Sequence, residues 1–463
     1  MAIPTNEATI NLRALESRLS GHLITPMDPD YDTTRSVMAG AVADARPAAI
    51  ARVANAADVQ AVVTFARDHD LELAVRSGGH SGAGHGTVDG GLVLDLREMK
   101  AIEIDPETRT AWAETGLTAG DVTTAAAEHG LVIGFGDTGS VGIGGITTGG
   151  GIGYLVRKHG MTIDNVLAAE VVTADGSLRR ASEAENPDLF WAIRGGGGNF
   201  GVVTRFEYRL QPLPQIVGGI LVQPATPEAV SGVMAAAAQA PEELSAIVNV
   251  MPCPPMPFVP EEHHGKLIVF SLLCWSGPID EAQAALAPMR AAAEPIADLI
   301  GPKPYPELFA MEGPEDYHPI TAERAMFVDH VGIGEAAAII EALDASDATM
   351  RAVQLRPLGG AMARVAADAT AFAHRSAPVL AQVVAFADSL EDRPRRLAWV
   401  RDLAERIDQG VEGAYVNFLG TEDGERTSAA YPGPTAARLA QVKARYDPGN
   451  LFRRNHNILP TST

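Results

Sequence analysis

Two glycine-rich stretches constrain this chain more than any other feature of its sequence. The first, residues 76–82 (Arg-Ser-Gly-Gly-His-Ser-Gly), ends a strand-like run that begins at Leu71. The second, residues 136–154, places seven glycines between Gly142 and Gly153. Because glycine adopts positive φ without strain and lets other groups approach the main chain closely, both stretches predict surfaces formed by backbone. We refer to them as the first lip and the second lip.

The backbone amides of the second lip suit a diphosphate held without Lys or Arg. Lys and Arg number 36 against 58 Asp and Glu, which gives a net charge of −22. An acidic protein can hold an anionic ligand through unshielded N–H groups. The same charge argues against nucleic acid and against an anionic membrane as partners. In the first lip, the reactive side chain is His80.

Two other motifs point to different chemistry and are set aside. Asp137-Thr-Gly-Ser140 matches an aspartic-protease signature, but that reaction needs two carboxylates sharing a proton, and no second such motif occurs. Gly196-x-Gly198-x-x-Gly201 matches a dinucleotide-binding pattern. The strand-like run 202–210 follows it where that pattern requires a helix, so nicotinamide binding is not predicted.

The hydrophobic pattern predicts an α/β first half and a different second half. Residues 8–20 predict an amphipathic helix, and Asn55 predicts the N-cap of a helix between strands 48–53 and 71–76. After the Pro212-Leu-Pro214 boundary, strand-like and helix-like runs predict helices segregated over an antiparallel sheet. These strands lie near 246–251, 267–275, 325–330, 352–358 and 379–387, and these helices near 227–239, 279–294, 335–344 and 393–408.

Cysteine spacing and hydropathy predict a soluble, metal-free protein. Cys253 and Cys274 form no Cys-x-x-Cys pair and have no matching histidine spacing, so we expect buried thiols and no metal site. The sequence shows no signal-peptide pattern and no apolar run of membrane-spanning length. We therefore expect a cytoplasmic location.

Several motifs, in the same order along the chain, resemble the berberine bridge enzyme-like branch of the vanillyl-alcohol oxidase flavoproteins. The resemblance covers residues 35–460 and is nearest to singly linked bacterial members. It rests on Arg-Ser-Gly-Gly-His80, 141–145, 149–153, 157–160, Asp164-Asn165, 188–204 and 446–458. It implies an α+β (mixed α/β), two-lobed fold. The FAD-binding domain of the PCMH type would comprise residues 1–212 completed by 412–463, and the substrate-binding domain residues 213–411 with an antiparallel sheet.

The resemblance also implies FAD joined covalently to His80. Bicovalent relatives carry a cysteine at the position of Thr138, so this chain is expected to form a single link. A strand at 415–418 is expected beneath the flavin ring. The further residues expected to contact the cofactor are Arg76, Ser77, Gly78, Gly79, Ser81, Gly136, Thr138, Gly142, Gly144, Gly145, Gly149, Gly150, Gly153, Tyr154, Asn165, Val171, Asn417, Asn455 and Asn457.

Three residues are expected to serve catalysis. Val141 falls where the family controls oxygen access, and a valine there resembles the oxidases. Relatives place a tyrosine at the position of Phe418 or a glutamate at that of Gln354, and this chain has neither base. Gln354 is therefore expected to orient the substrate, and Tyr415 or Asn417 to support the ring from the C-terminal strand; Arg356, Tyr317 and His318 are further polar candidates.

The predicted reaction moves a hydride from a small or medium-sized amine, phenolic or alcohol metabolite to flavin N5, and then to dioxygen, giving hydrogen peroxide. Without a strong base, an amine or phenol is favoured over a sugar, because a nitrogen lone pair or phenolate supplies the electron push. The expected partners are thus the small-molecule substrate and dioxygen. Two alternatives stay open: a dehydrogenase that uses another electron acceptor, and a non-catalytic protein that binds flavin or ligand.

Overall fold

The computed structural model describes residues 2–4, 9–213, 215–309, 317–420 and 426–461. In chain order the strands are β1 (Ala2–Pro4), β2 (Thr9–Asn11), β3 (His22–Ile24), β4 (Ala49–Arg52), β5 (Leu73–Arg76), β6 (Leu92–Asp95), β7 (Ile102–Asp105), β8 (Thr110–Glu114), β9 (Leu131–Val132), β10 (Val166–Val172), β11 (Leu178–Ser182), β12 (Val202–Arg209), β13 (Gln211–Pro212), β14 (Ile216–Pro224), β15 (Leu244–Pro252), β16 (Leu267–Trp275), β17 (Ala297–Asp298), β18 (Gly301–Lys303), β19 (Ile320–Val328), β20 (Arg351–Pro357) and β21 (Val379–Ala387).

The α-helices are α1 (Leu12–Glu16), α2 (Tyr31–Arg35), α3 (Ala56–Asp68), α4 (Ala119–Ala127), α5 (Ile143–Gly149), α6 (Val156–His159), α7 (Pro187–Ala192), α8 (Pro227–Gln239), α9 (Ala282–Arg290), α10 (Ile333–Ala345), α11 (Ala361–Arg364), α12 (Arg393–Arg406), α13 (Thr427–Ala430) and α14 (Gly433–Tyr446). Short 3-10 helices lie at Gly40–Val42, Thr162–Asn165, Gly197–Asn199, Glu261–His263, Ile279–Glu281, Tyr305–Phe309 and Val416–Phe418.

A four-stranded sheet contains the strand that leads into the first lip. Its order is β3-β4-β6-β5, with β4 and β5 both parallel to β6. Helix α3 connects β4 to β5, and the Oδ1 of Asn55 caps it by accepting the Asp58 N–H at 3.0 Å. The predicted β-α-β unit and its N-cap are confirmed, with β6 lying between the two strands.

A five-stranded antiparallel sheet supports the second lip. Its order is β11-β10-β12-β8-β7. Buried apolar residues of this sheet pack against helices α4, α7 and α14 in one core. Helix α14 ends at Tyr446, as predicted from Tyr446-Asp-Pro448, so the C-terminal part of the chain returns to this sheet.

An eight-stranded sheet is built from strands between Ile216 and Ala387. The main order is β17-β14-β16-β15-β20-β21-β19, with β18 pairing β14, and the pairs are antiparallel. Alternate residues of each strand pack against helices α8, α9, α10 and α12 on one face. The predicted antiparallel sheet with segregated helices is confirmed. The intervening residues, among them Asn249, Leu272, Gln354 and Arg356, lie on the opposite face.

Two local predictions differ from the structure, and one strand was not predicted. The predicted helix over 8–20 is wrong in extent, because β2 pairs with β1 and the helix occupies only Leu12–Glu16. Residues 415–418 form a 3-10 turn and not a strand, because side chains rather than a ladder tie this segment to its neighbours. Strand β14 was not predicted, since its two central glycines lower strand propensity.

Both cysteines are buried free thiols, as expected. Within the described ranges, no helix combines the length and the apolar character needed to cross a bilayer. The cytoplasmic location stays a prediction.

Candidate active site

The two lips touch each other, backbone against backbone. Gly78 and Gly142 lie so close that a Cβ on either would collide with the other's main chain. The Oγ of Ser77 accepts the N–H of Gly144 at 3.2 Å and donates to the carbonyl of Thr115 at 2.5 Å. Glycine is therefore required at both contact points, and the two stretches identified in the sequence form one continuous surface.

Helix α4 fixes the position of the second lip. The N–H groups of Ala119 and Gly120, at its first turn, donate to the carbonyls of Val141 and Gly139 at 2.8 Å each. These first-turn donors have no partner within their own helix, so they are free to hold another segment. Val141 is thus anchored through its own backbone.

A cavity of about 1500 Å³ opens between the lips and the eight-stranded sheet. It exceeds the about 300–1,000 Å³ typical of small-ligand pockets, so it can take a large cofactor and a substrate together. Of the residues predicted for the site, those on its wall are Arg76, Ser77, Gly78, Gly79, His80, Ser81, Gly136, Thr138, Val141, Gly142, Gly144, Gly145, Tyr154, Tyr317, His318, Tyr415, Asn417 and Asn455.

Two features of this wall fit FAD. A Cβ on Gly145 would meet no described atom within 4 Å, so the fold itself does not need glycine there, whereas a ligand against the first turn of α5 does. The Oδ1 of Asn455 is buried and has no hydrogen-bond partner among the described residues, while its Nδ2 donates to the carbonyl of Phe452. An open backbone surface and a spare acceptor suit a cofactor with phosphates and ring N–H groups.

A corner of the cavity that carries Arg454, which pairs with Glu72 at 3.6 Å, was missed by the sequence analysis. His85, His456 and Arg454 line the wall, and the two imidazole centroids are 4.7 Å apart. Burial, followed by the charges of His456 and Arg454, lowers the pKa of His85 to about 3, so His85 is neutral at physiological pH. The wall therefore adds Arg454 to the backbone donors that the sequence led us to expect for an anionic ligand.

A C-terminal segment, residues 415–419, closes one side of the cavity. The hydroxyl of Tyr415 accepts the N–H of Gly151 at 2.8 Å and the Nδ2 of Asn417 at 3.0 Å. Asn417 also donates to the carbonyl of Ile146 at 3.1 Å. Burial raises the pKa of Tyr415, so the phenol keeps its proton at neutral pH. Tyr415 therefore braces the segment after α5 and is not placed to act as a base.

Three predicted glycines lie behind the wall rather than on it. A side chain at Gly149 would overlap the Oδ1 of Asn417, and one at Gly153 would overlap the carbonyl of Gly136. Gly150 has φ of +144° and packs on Tyr415. These glycines let the backbone layers approach each other. Their expected contact with the cofactor stays a prediction.

Four other predicted residues also lie off the wall. Asn165 donates from Nδ2 to the carbonyls of His159 and Met161, which ties its own loop. Val171 is buried in strand β10, between its partners on β11 and β12. Asn457 has a buried Oδ1 without a partner among the described residues. The fourth is Gln354.

Both the amide nitrogen and the amide oxygen of the Gln354 side chain form hydrogen bonds. Its Nε2 donates to the Oδ1 of Asn249 at 3.0 Å, and its Oε1 accepts from Arg356 at 2.9 and 2.7 Å. Arg356 in turn donates from Nη2 to the Oδ2 of Asp137 at 2.7 Å. Gln354 is not part of the described wall and is linked to it by hydrogen bonds through Arg356 and Asp137, and its expected role in orienting the substrate stays a prediction.

Asp137 is the functional candidate that the sequence analysis missed. It lies on the cavity wall with 22% of its side chain exposed, whereas Arg356 is 6% exposed and lies behind it. One signal was available in the sequence, since Asp137 is the only charged residue of the second lip. Asp137 also belongs to the aspartic-protease motif, which indicates a different chemistry. Its partner Arg356 lies in a distant segment of the chain, so the local sequence does not predict the pairing.

The part of the wall around Asp137 is apolar. Tyr154, Leu308 and Phe309 share one buried cluster, with Leu272 packed against it. Burial, and then the charge of Asp137, raises the pKa of Tyr154. Among the residues that the structure describes, the cavity wall thus has a backbone-rich end at the lips and an apolar end whose carboxylate is Asp137.

The chain matches two family models. Residues 47–182 match the FAD binding domain, and residues 414–459 match "Berberine and berberine like". These two segments include both lips and the C-terminal segment described above.

Relatives match over nearly the whole chain. The (R)-6-hydroxynicotine oxidase of Paenarthrobacter nicotinovorans is 31% identical over 96% of this chain and 97% of its own length. An FAD-linked oxidoreductase of Dictyostelium discoideum is 30% identical over 88% of this chain and 87% of its own. The crystal structure of 6-hydroxy-D-nicotine oxidase from Arthrobacter nicotinovorans superposes with a TM-score of 0.84 at 28% identity, covering 96% of this chain and 98% of that one.

Proposed function

Because this chain belongs to the berberine bridge enzyme-like family of FAD-linked oxidoreductases, we propose that it is an oxidase of a small or medium-sized amine, phenolic or alcohol metabolite. The observation that carries the proposal is the shape of the cavity between the lips and the eight-stranded sheet, which has a backbone-rich end at the lips and an apolar end with the carboxylate of Asp137. Residues 1–212 with 412–463 would form the FAD-binding domain, and residues 213–411 the substrate-binding domain.

The cofactor is FAD, and we propose that His80 carries it covalently. His80 lies on the wall between Gly79, whose φ is +77°, and Ser81. Thr138 lies on the same wall and offers a hydroxyl where a second link would need a thiol. A single link at His80 is therefore the attachment that the chemistry of this wall supports.

When bound, FAD supplies a two-electron acceptor for a hydride from a substrate carbon. The chain's own residues would hold the cofactor through the amides near Gly142 and Gly145 and through Arg454, and Tyr154 and Phe309 would shape the substrate space. Neither Tyr415 nor Gln354 offers a free base. This favours amines and phenols over sugars and simple alcohols, because they provide their own electron push.

Dioxygen is the electron acceptor in this proposal, with hydrogen peroxide as the product. Val141 lies on the wall and is held through its carbonyl, so its side chain has a defined place beside the second lip. The name of the relative from Paenarthrobacter, an oxidase of 6-hydroxynicotine, supports both an oxygen acceptor and a small-molecule substrate. A dehydrogenase with another acceptor remains the alternative.

The test is an anaerobic screen of amines, phenols, alcohols and sugars for bleaching of the oxidised flavin band, followed by admission of air. We expect an amine or phenol to bleach the band, and air to restore it with formation of peroxide. Bleaching without reoxidation by air would favour the dehydrogenase. A flavin that no compound of the screen reduces would favour the non-catalytic alternative.

A further inference from the structure

The carboxylate of Asp137 has one oxygen engaged and one open. Its Oδ2 accepts from the Nη2 of Arg356 at 2.7 Å, and no described residue donates a hydrogen bond to its Oδ1. The residue lies on the cavity wall and is partly exposed there. A carboxylate oxygen has room for two hydrogen bonds, so Oδ1 is available to a donor that enters the cavity.

The guanidinium behind Asp137 does not compete for a ligand in the cavity. Arg356 is almost fully buried and does not belong to the described wall. Its Nη1 donates to the carbonyl of Ile152 at 3.1 Å, and its Nε and Nη2 donate to the Oε1 of Gln354. Asn249 holds Gln354 in turn. The carboxylate, and not the guanidinium, therefore faces the cavity. A chain of hydrogen bonds fixes the orientation of this carboxylate.

The surroundings of Oδ1 favour a ligand that joins a cationic group to an apolar skeleton. The charge of Asp137 acts on the wall residue Tyr154, which shares a buried cluster with Leu308 and Phe309, and Leu272 packs against that cluster. Among the described residues of the wall, the other carboxylate is Asp32, which pairs with Arg35 and Arg46. Apolar walls strengthen an ion pair formed inside them, and aromatic faces add attraction for a cation. An anionic group could not pair with Oδ1, and an oligosaccharide would leave many hydroxyls without partners among these apolar residues.

We propose that Asp137 is the substrate-binding carboxylate of this enzyme, and that its Oδ1 pairs with the ammonium group of an arylalkylamine. The inference rests on the proposed function and narrows its substrate class to amines that arrive protonated.

The reaction then balances without an additional base. The ammonium N–H gives its proton to Oδ1, so that the nitrogen regains its lone pair and Asp137 becomes neutral. The adjacent carbon loses a hydride, which carries two electrons to the flavin, and the C–N bond becomes an iminium double bond. Asp137 releases its proton to water, and its restored charge faces the iminium cation. Dioxygen, the oxidant of the proposed function, takes the two electrons from the flavin.

The test is a ligand titration of the oxidised holoenzyme without oxygen, followed by the flavin absorption spectrum. Benzylamine, N-methylbenzylamine and 1-phenylethylamine are compared with benzyl alcohol and 1-phenylethanol, which have the same skeletons without charge. We expect the amines to bind at least about tenfold more tightly than the matching alcohols, since one charge-assisted hydrogen bond is at stake. Equal or tighter binding of the alcohols would overturn the inference without any variant.

Asp137→Asn keeps the size of the side chain and an oxygen for Arg356 but removes the charge. It should weaken amine binding by about tenfold or more and change alcohol binding by less than about twofold. The matched control is Asp298→Asn, because Asp298 is also partly exposed and paired with an arginine, Arg290, but lies away from the cavity. It should behave as the wild type. Unchanged amine binding in Asp137→Asn would overturn the inference.

Failure of the inference and failure of the proposed function give different results. Reduction of the flavin by phenols or alcohols, with Asp137→Asn indifferent, would remove the role of Asp137 and leave an oxidase. A wild-type flavin that neither class of compound perturbs or reduces would count against both. If Asp137→Asn takes up no flavin, the comparison of amine with alcohol in the wild type decides.

Discussion

The two ends of the cavity are built in opposite ways. At the lips, glycines and backbone amides form the surface, and two stretches that are each continuous in sequence supply it. At the apolar end, side chains from distant segments meet: Asp137 from the second lip, Arg356 and Gln354 from β20, and Phe309 from the 3-10 helix at Tyr305–Phe309. A surface of backbone can serve one cofactor in many proteins, whereas a surface of side chains can change from one chain to the next.

The largest expected effect is on flavin attachment, and it is confined to the end of the cavity at the lips. Replacing His80 by Ala should release all of the flavin on acid precipitation, because the ring nitrogen that carries the proposed link is gone, while FAD stays bound in neutral buffer through the amides near Gly142–Gly145. The measurement is flavin absorbance in pellet and supernatant. His85→Ala, which removes another histidine from the same wall, should keep its flavin attached. Acid release of flavin from the wild type would contradict the covalent link.

The second prediction tests whether open backbone is what binds the cofactor. Gly145→Val should fold normally, because no described atom lies within 4 Å of the new Cβ, but its methyl groups would occupy the cofactor space. We expect FAD content per chain to fall by about tenfold or more, the cost of one obstructed contact surface. Gly301→Val, at a glycine with equally open surroundings away from the cavity, is the control. Full FAD content in Gly145→Val would show that the cofactor does not pass this glycine.

These two predictions concern residues that the sequence alone identified, and the reason is local. A run such as Gly149-Gly-Gly-Ile-Gly153 has few other uses than close backbone approach, and Asn55 followed by helical spacing is a complete N-cap signal. The antiparallel sheet was predictable because alternation along β16 and β21 is a property of each strand by itself. Contacts within about one element of structure leave their mark in the local sequence.

The contacts that were missed are all between distant segments. The sequence around Asp137 does not predict its hydrogen bond with Arg356, and the sequence around His85 does not predict its ring contact with His456. The place of Gln354 on a strand was predictable, but its hydrogen bond with Arg356, and the link from Arg356 to Asp137, were not. The segment 415–418 was expected as a strand, but the hydrogen bonds of Tyr415 and Asn417 to the backbone after α5 decided its form.

The third prediction addresses the apolar end through Gln354. Replacing Gln354 by Ala removes the acceptor that holds Arg356, so the carboxylate of Asp137 loses its fixed orientation. We expect arylalkylamine binding or turnover to fall by about tenfold, the loss of one or two oriented hydrogen bonds, with covalent flavin intact. Binding of the uncharged alcohols should not change, which distinguishes a positioning role from general damage to the sheet. An equal loss for amines and alcohols would assign Gln354 to structure alone.

The smallest expected effect lies at the border between the two ends. Val141→Ile adds one methylene to a wall residue whose backbone is held by Ala119. Reoxidation of the reduced flavin by dioxygen should slow by a few-fold, on the order of one obstructed approach path, while anaerobic reduction stays nearly unchanged. Stopped-flow absorbance measures both steps in the same sample. Identical reoxidation in both proteins would exclude Val141 as an oxygen gate.

The return of the C-terminal segment has a consequence for how the enzyme is made in the cell. Residues 415–419 and 452–456 form part of the cavity wall, and the Nζ of Lys443 holds this region by donating to the carbonyls of Asn199 and Phe452. During synthesis these residues leave the ribosome after the two lips, so the lips have time to fold first. Until residues 415–456 have emerged, the nascent chain presents an open groove that cannot enclose FAD. With the proposed link at His80, flavin attachment is expected to follow the emergence of this segment, and a product shortened before residue 415 should carry no bound flavin.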